Sequence, residues 1–213
     1  MAVKVKVCGI TNQEDAVWAA TLGAQYVGFN FSSQSPRKVS PDMAKKILEK
    51  VPPFVTPVGV FVEQPVAEIV KIAQKTGLKG VQLHGEQTPD DCRALAAQLG
   101  DGVFICQVFR VAQAGDLEGM AAYKDAARYF LIDARVDGRP GGTGQTFPWS
   151  LVQGAKAHNV PLFIAGGLTP ENVGEAVEET RPFAVDVASG VEKSPKRKDY
   201  DKLKKFIEEA KNA

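Results

Sequence analysis

One pattern constrains this chain more than any other. Eight short apolar runs recur along 213 residues, roughly one every 25, with a helical stretch after each. The runs cover residues 3–8, 26–31, 57–62, 80–83, 103–108, 129–132, 160–165 and 183–188. Most are rich in β-branched or aromatic residues and apolar at nearly every position. That predicts parallel strands covered on both faces, because a half-exposed strand would alternate. Between the runs, apolar residues recur at i, i+3, i+4 and i+7. Ala44, Ile47, Leu48 and Val51 form one such set, and Val66, Ile69, Val70 and Ala73 another. Cys92, Leu95, Ala96 and Leu99 form a third, and Leu203, Phe206, Ile207 and Ala210 a fourth. Each set is a helical stripe facing a sheet.

Three dipeptides, Ser40-Pro41, Thr88-Pro89 and Thr169-Pro170, predict helix starts. The hydroxyl caps free N–H groups, and proline fits the first helical position because its missing N–H had no partner there. Thr11 to Glu14 reads as a capping box opening the first helix. The fifth helix, near Asp116 to Tyr123, is the weakest, since Gly119 interrupts it. Strand–helix alternation means a parallel sheet with right-handed crossovers. Eight units in this length predict an α/β chain folded as a closed (β/α)8 barrel rather than an open doubly wound sheet. No linker or composition shift appears, so residues 1–213 are expected to form a single domain.

Lys plus Arg number 26 against 25 for Asp plus Glu. This balance argues against a nucleic-acid or membrane-surface role, which would show as a basic face. Cys8, Cys92 and Cys106 are three cysteines with no close pair, so neither a disulfide framework nor a zinc ribbon is expected. The N-terminal stretch alternates with lysines and is too polar for a secretory core. No run approaches the roughly 18 apolar residues of a membrane span. A soluble, cytoplasmic protein is the expectation.

A barrel gathers its active groups at the carboxyl ends of the strands. There the sequence offers Cys8-Gly9, Asn30 leading to Arg37, Val62-Glu63, His84-Gly85, Arg110, Asp133, Gly166-Gly167 and Ser189-Gly190. Gly166 and Gly167 after the seventh strand, with Ser189 and Gly190 after the eighth, suit a phosphate. Glycine lets backbone N–H groups approach an anion, and barrels often place phosphate at these two loops. Gly142, Thr143 and Gly144, in the loop after the sixth strand, are placed to close a third side. Cys8 is open to two readings, a buried apolar thiol or a base whose pKa is lowered by the nearby helix start. Asp133 lies across the mouth, placed to donate a proton. Two such groups facing a small polyol phosphate suit a proton-shuttling isomerase. Arg37 is either a solvated loop charge or a fork for a carboxylate. His84 is either a ligand contact or a polar strand end, and His158 is expected on the opposite, solvent-exposed face. Two histidines without a carboxylate cluster do not make a metal site. Cys92 and Cys106 are expected in the core.

With these residues in hand, the chain resembles the phosphoribosylanthranilate isomerases of tryptophan biosynthesis. The resemblance runs through Lys6-Val-Cys-Gly-Ile-Thr11, Gly28-Phe-Asn-Phe31 with Ser35-Pro-Arg37, Gly59-Val-Phe61 and Val81-Gln-Leu-His-Gly85. It continues through Leu131-Ile-Asp133, Gly141-Gly-Thr-Gly144, Ala165-Gly-Gly-Leu168 and Asp186-Val-Ala-Ser-Gly-Val-Glu192. It implies a cofactor-free and metal-free Amadori rearrangement of N-(5-phosphoribosyl)anthranilate, with Cys8 as general base and Asp133 as general acid. It further implies that Arg37 holds the anthranilate carboxylate and that Asp186 lines the sugar site. The partner implied is a small phosphorylated sugar-anthranilate substrate, with no nucleic acid and no membrane, and the chain is expected as monomer or homodimer. Three departures stand out: Ala188 where the family usually has Ser, Pro195-Lys196 where it has Pro-Gly, and Pro148 before Trp149. Two other functions compete, a sugar-phosphate epimerase and a phosphate-binding barrel without catalysis. A metal-dependent epimerase would need paired His and acid ligands that the sequence lacks. A bare scaffold would not need Cys8, Asp133 and Arg37 together.

Overall fold

The computed structural model describes residues 2–134 and 149–213. Eight parallel strands close into a barrel in chain order. They are β1 (Lys4–Val7), β2 (Tyr26–Asn30), β3 (Thr56–Phe61), β4 (Gly80–Leu83), β5 (Phe104–Val111), β6 (Tyr129–Ala134), β7 (Leu162–Ala165) and β8 (Ala184–Val187). The ring closes where β8 pairs with β1, placing Lys6 opposite Asp186 and Val7 opposite Val187. All eight expected strands are therefore present, and β5 runs further than its apolar stretch, to Val111.

The helices are α1 (Gln13–Leu22), α2 (Pro41–Leu48), α3 (Val66–Thr76), α4 (Pro89–Leu99), α5 (Val152–Lys156), α6 (Val173–Thr180) and α7 (Tyr200–Asn212). The four expected stripes face the core, except that Ala96 on α4 is exposed. On α7, for example, Leu203, Phe206, Ile207 and Ala210 are all buried. The Ser40 and Thr88 caps form as expected, with Thr88 and Asp91 making a reciprocal capping box. The segment expected as the weakest helix, Ala114–Tyr123, is a 3-10 helix. Gly119 interrupts it, and only Leu117 and Met120 are buried, too few for a full helical stripe.

Two helix starts differ from the sequence expectation. At α1 the cap is Asn12, whose side chain accepts from the Asp15 N–H at 2.9 Å. The Thr11 hydroxyl instead donates to the Lys196 carbonyl at 2.8 Å. Thr169-Pro170 opens a turn rather than α6 itself, and Asn172 closes that turn by accepting from the Thr169 N–H at 2.8 Å. In both places a side-chain bond available one or three residues on captures the free backbone donors.

The strands feed two separate apolar cores. The larger joins the outward residues of the strands to the helices. The smaller holds strand residues only, among them Tyr26, Val58, Cys106, Tyr129, Leu131 and Phe163, so it fills the barrel interior. Cys92 lies in the first core and Cys106 in the second, both buried as expected. His158 is half-buried rather than exposed, with its ring 6.4 Å from that of Phe130.

After β8 comes an element the apolar pattern did not announce, an antiparallel hairpin of β9 (Glu192–Ser194) and β10 (Arg197–Lys198). It is tied to the start of α1 by the Thr11 bond, by an Arg197–Glu14 ion pair, and by the Lys198 N–H donating to Asp15 at 3.0 Å. Among the described residues, no helix is long and apolar enough to cross a membrane.

Candidate active site

At the carboxyl ends of the strands a cavity opens, lined by Cys8, Arg37, His84, Asp133, Asp186, the Gly166–Gly167 pair, Ser189 and Gly190. The structure thus brings together nine of the expected site residues from the ends of five strands and the β2–α2 loop. Gly142, Thr143 and Gly144 lie outside the described residues, as does Pro148.

Strand geometry explains the convergence. Residues two apart along an extended strand share a face, so Lys6 on β1 and Cys8 just past its end both point inward, as do Leu131 and Asp133 on β6. Cys8 is fixed from both sides, since its N–H donates to the Val187 carbonyl at 2.8 Å and the Ile10 N–H donates to the Gly28 carbonyl at 2.9 Å. Gly28 on β2 is needed for space. A β-carbon there would stand 2.8 Å from Cys8 Sγ and 3.1 Å from Lys6 Nζ. The thiol and the ammonium occupy the room a side chain would take.

Lys6, 1 % exposed, donates Nζ to both oxygens of Asp186 at 3.0 Å. Burial alone would lower the Lys6 pKa, but Asp186 and Cys8 outweigh it and hold the ammonium above its ordinary range. Burial pushes Asp186 up, toward the neutral acid, against the pull of Lys6. The two-oxygen contact decides between these tendencies in favour of a charged pair. Beside it, the Cys8 thiol is raised: burial dominates, Lys6 acts to lower it, and Asp186 acts with the burial. This corrects the expectation of a thiol lowered by the helix start. α1 begins only at Gln13, and its first-turn donors already serve Asn12, so little of the dipole reaches Cys8.

On the far side of the mouth, His84 Nε2 stands 3.3 Å from Asp133 Oδ2 and 3.3 Å from Arg110 Nε. The Arg110 Nε–H donates to that nitrogen, which stands between Arg110 and Asp133. Arg37 follows Ser35, whose hydroxyl accepts from the Arg37 N–H at 3.1 Å. Its loop is braced by Glu63, which accepts from the Ser32 hydroxyl at 2.6 Å and the Ser33 N–H at 2.6 Å. The guanidinium pairs with Glu192 through Nη2 at 2.6 Å. Below the glycine loops, Gly190 allows a close approach, because a β-carbon there would collide with the Leu168 carbonyl. Gly166 and Gly167 both adopt left-handed backbone, with φ of 88° and 65°. Among the described residues, no three His, Cys, Asp or Glu side chains are placed to hold a metal ion.

Sequence reasoning missed Lys6, Gln82 and Lys198. Gln82 is buried on β4 and lines the cavity two residues below His84, on the same strand face. For Lys6 the available signal was its spacing of two from Cys8. For Lys198 no local signal existed, because its partners, Glu192 and Ala188, come from the hairpin and the end of β8.

Fold and site together define a (β/α)8-barrel enzyme with acid, thiol and glycine-loop groups around one mouth, of the isomerase kind. The family model of "N-(5'phosphoribosyl)anthranilate (PRA) isomerase" matches residues 5–209, and the chain belongs to that family. An N-(5'-phosphoribosyl)anthranilate isomerase of Geobacter sulfurreducens is 44% identical over 98% of each chain. The crystal structure of phosphoribosyl anthranilate isomerase from Thermotoga maritima superposes with a TM-score of 0.91, at 40% identity, covering 99% of this chain and all of that one. A second isomerase structure, at TM-score 0.88 and 40% identity with the same coverage, holds reduced 1-(o-carboxyphenylamino)-1-deoxyribulose 5-phosphate.

Proposed function

We propose that this chain converts N-(5-phosphoribosyl)anthranilate to 1-(2-carboxyphenylamino)-1-deoxyribulose 5-phosphate, with Cys8 as base and Asp133 as acid. One observation carries the reading: Cys8, just past the end of β1, and Asp133 on β6 line the same cavity as Gly166, Gly167, Ser189 and Gly190. The family and its ligand-bound relative support it. Asp133 gives a proton to the furanose ring oxygen, which opens the ring to a protonated Schiff base. Cys8 removes the C2′ proton, and the C–H electrons neutralise the iminium nitrogen, leaving an enolamine. Tautomerisation to the ketone completes the transfer. The Gly166–Gly167 and Ser189–Gly190 loops hold the phosphate through backbone N–H groups. Asp186 and His84 border the sugar, and Arg37 takes the anthranilate carboxylate through its fork.

Lys6 supports the role of Cys8. The thiol gains a negative charge as the base form appears, and the Lys6 ammonium beside it stabilises that charge in a low-dielectric site. The test is direct. Purified protein is expected to consume phosphoribosylanthranilate, followed by anthranilate fluorescence, with a chelator present. Folded protein that leaves the substrate unchanged overturns the proposal.

A further inference from the structure

The groups that fix Arg37 lie behind the mouth and form a chain of charges. Arg37 donates Nε to Glu192 Oε1 at 2.7 Å and Nη2 to Oε2 at 2.6 Å. Lys198, 0 % exposed, donates Nζ to the same Oε1 at 3.2 Å and to the Ala188 carbonyl at 2.8 Å. Glu192 and Lys198 are cross-strand partners in the β9–β10 hairpin. The Lys198 backbone is anchored by Asp15, itself fully buried on α1. At the other end, the methylenes of Arg37 cross Gly9, where a β-carbon would collide with Cδ. Burial opposes the charge on Glu192, but Arg37 and Lys198 outweigh it and hold the carboxyl below its ordinary range.

A guanidinium carries five N–H donors in a rigid fork. Glu192 uses one edge, Nε with Nη2, and leaves the Nη1–Nη2 edge intact for a second carboxylate. A free arginine would lose rotamer freedom on fixing that edge to a ligand. Here the freedom is already lost before any ligand arrives. We propose that Glu192, locked by Lys198, is a positioning residue that aims the outer edge of Arg37 at the substrate carboxylate and thereby sets selectivity for carboxylate-bearing substrates. This rests on the carboxylate role of Arg37 given above.

Two effects of Glu192 compete, and their signs differ. As a nearby negative charge it repels an incoming carboxylate, so Glu192→Gln by charge alone would tighten binding. As an aiming device it does the reverse: the amide of Gln presents N–H toward N–H, breaks the two-point contact and frees Arg37. The experiment compares two ligands, reduced 1-(2-carboxyphenylamino)-1-deoxyribulose 5-phosphate and the same molecule without its carboxyl group. Dissociation constants are measured for the unsubstituted protein and for Arg37→Met, Glu192→Gln, Lys198→Met and Lys198→Arg.

The unsubstituted protein is expected to prefer the carboxylate ligand, and Arg37→Met to lose that preference. Glu192→Gln should cut it at least about tenfold, the scale of one charge-assisted hydrogen bond, while affinity for the carboxyl-free ligand stays within about twofold. Lys198→Met should cut it less, with recovery in Lys198→Arg. If Glu192→Gln keeps or raises the preference while Arg37→Met abolishes it, the positioning role is overturned and the Arg37 role stands. If Arg37→Met keeps the preference, the carboxylate role of Arg37 fails first, and the positioning proposal falls with it. Should Lys198→Met not fold, the near-isosteric Glu192→Gln decides alone.

Discussion

The two ends of the barrel interior are made of opposite materials. The lower end is aromatic: Tyr26, Phe104, Tyr129, Phe163 and Phe183 meet mostly edge to face, at centroid distances from 4.9 to 6.2 Å. Burial there pushes the Tyr26 hydroxyl up to about 12, so it stays neutral. The upper end carries Lys6, Cys8, His84, Asp133 and Asp186. Single strands supply both ends. β6 contributes Tyr129 below, Leu131 between and Asp133 above, and β7 contributes Phe163 below and Ala165 above. Alternate residues of a strand advance about 7 Å on one face. Apolar packing and chemistry are therefore separated by one or two such steps, and the aromatic floor helps offset the desolvation of charges above it.

The sharpest way to break this division is to exchange the effects of the two ends. Phe163→Ala removes a fully buried ring from the floor and is expected to cost about 3–5 kcal/mol in urea unfolding. Its kcat/KM should stay within about twofold where the protein is folded. A large activity loss without a stability loss would show that the floor belongs to the site.

The upper end should respond the other way. Cys8→Ser and Asp133→Asn are each expected to lower kcat by at least about 10²-fold, the scale of general acid–base catalysis, with unfolding midpoints nearly unchanged. Because burial raises the Cys8 thiol, its base form grows as pH rises. The kcat/KM of the unsubstituted enzyme should therefore climb from neutral into the alkaline range, and Cys8→Ser should remove that slope. A profile that falls with pH over this range would exclude Cys8 as the base.

The smallest effect lies outside both ends, in the hairpin turn. Lys196 sits at φ 72°, a left-handed conformation that favours glycine. Lys196→Gly should stabilise the protein by about 1 kcal/mol, since a non-glycine residue there is strained, and leave the carbonyl that receives Thr11 in place. Destabilisation would mean the lysine side chain outweighs its backbone strain.

Much of this was legible in the sequence, for a local reason. Strand runs, helix stripes and the Ser40 and Thr88 caps depend on residues within a few positions of one another, so spacing reveals them. The site residues at strand ends were legible because the barrel turns position along a strand into position at the mouth. The charges behind the mouth were not. Lys6 meets Asp186 across the seam where the first and last strands join, and Lys198 depends on a hairpin too short to give an apolar pattern. Lys6 sits in a run alternating with lysines, which reads as an exposed strand face until the seam partner is known. The α1 cap slipped from Thr11 to Asn12 for the same reason: the Thr11 hydroxyl was taken by Lys196, distant in sequence.

The seam also orders events while the chain is being made. β1 leaves the ribosome first, yet its second edge, the partner of Lys6 and the clamp on Arg37 all lie in residues 184–198. Until those residues emerge, β1 carries an open edge and an ammonium without its carboxylate, both of which favour water over burial. Shorter-range strand–helix units can pair as they appear. The mouth, by contrast, has partners from both ends of the chain, so it is complete only once residues 184–198 have been made.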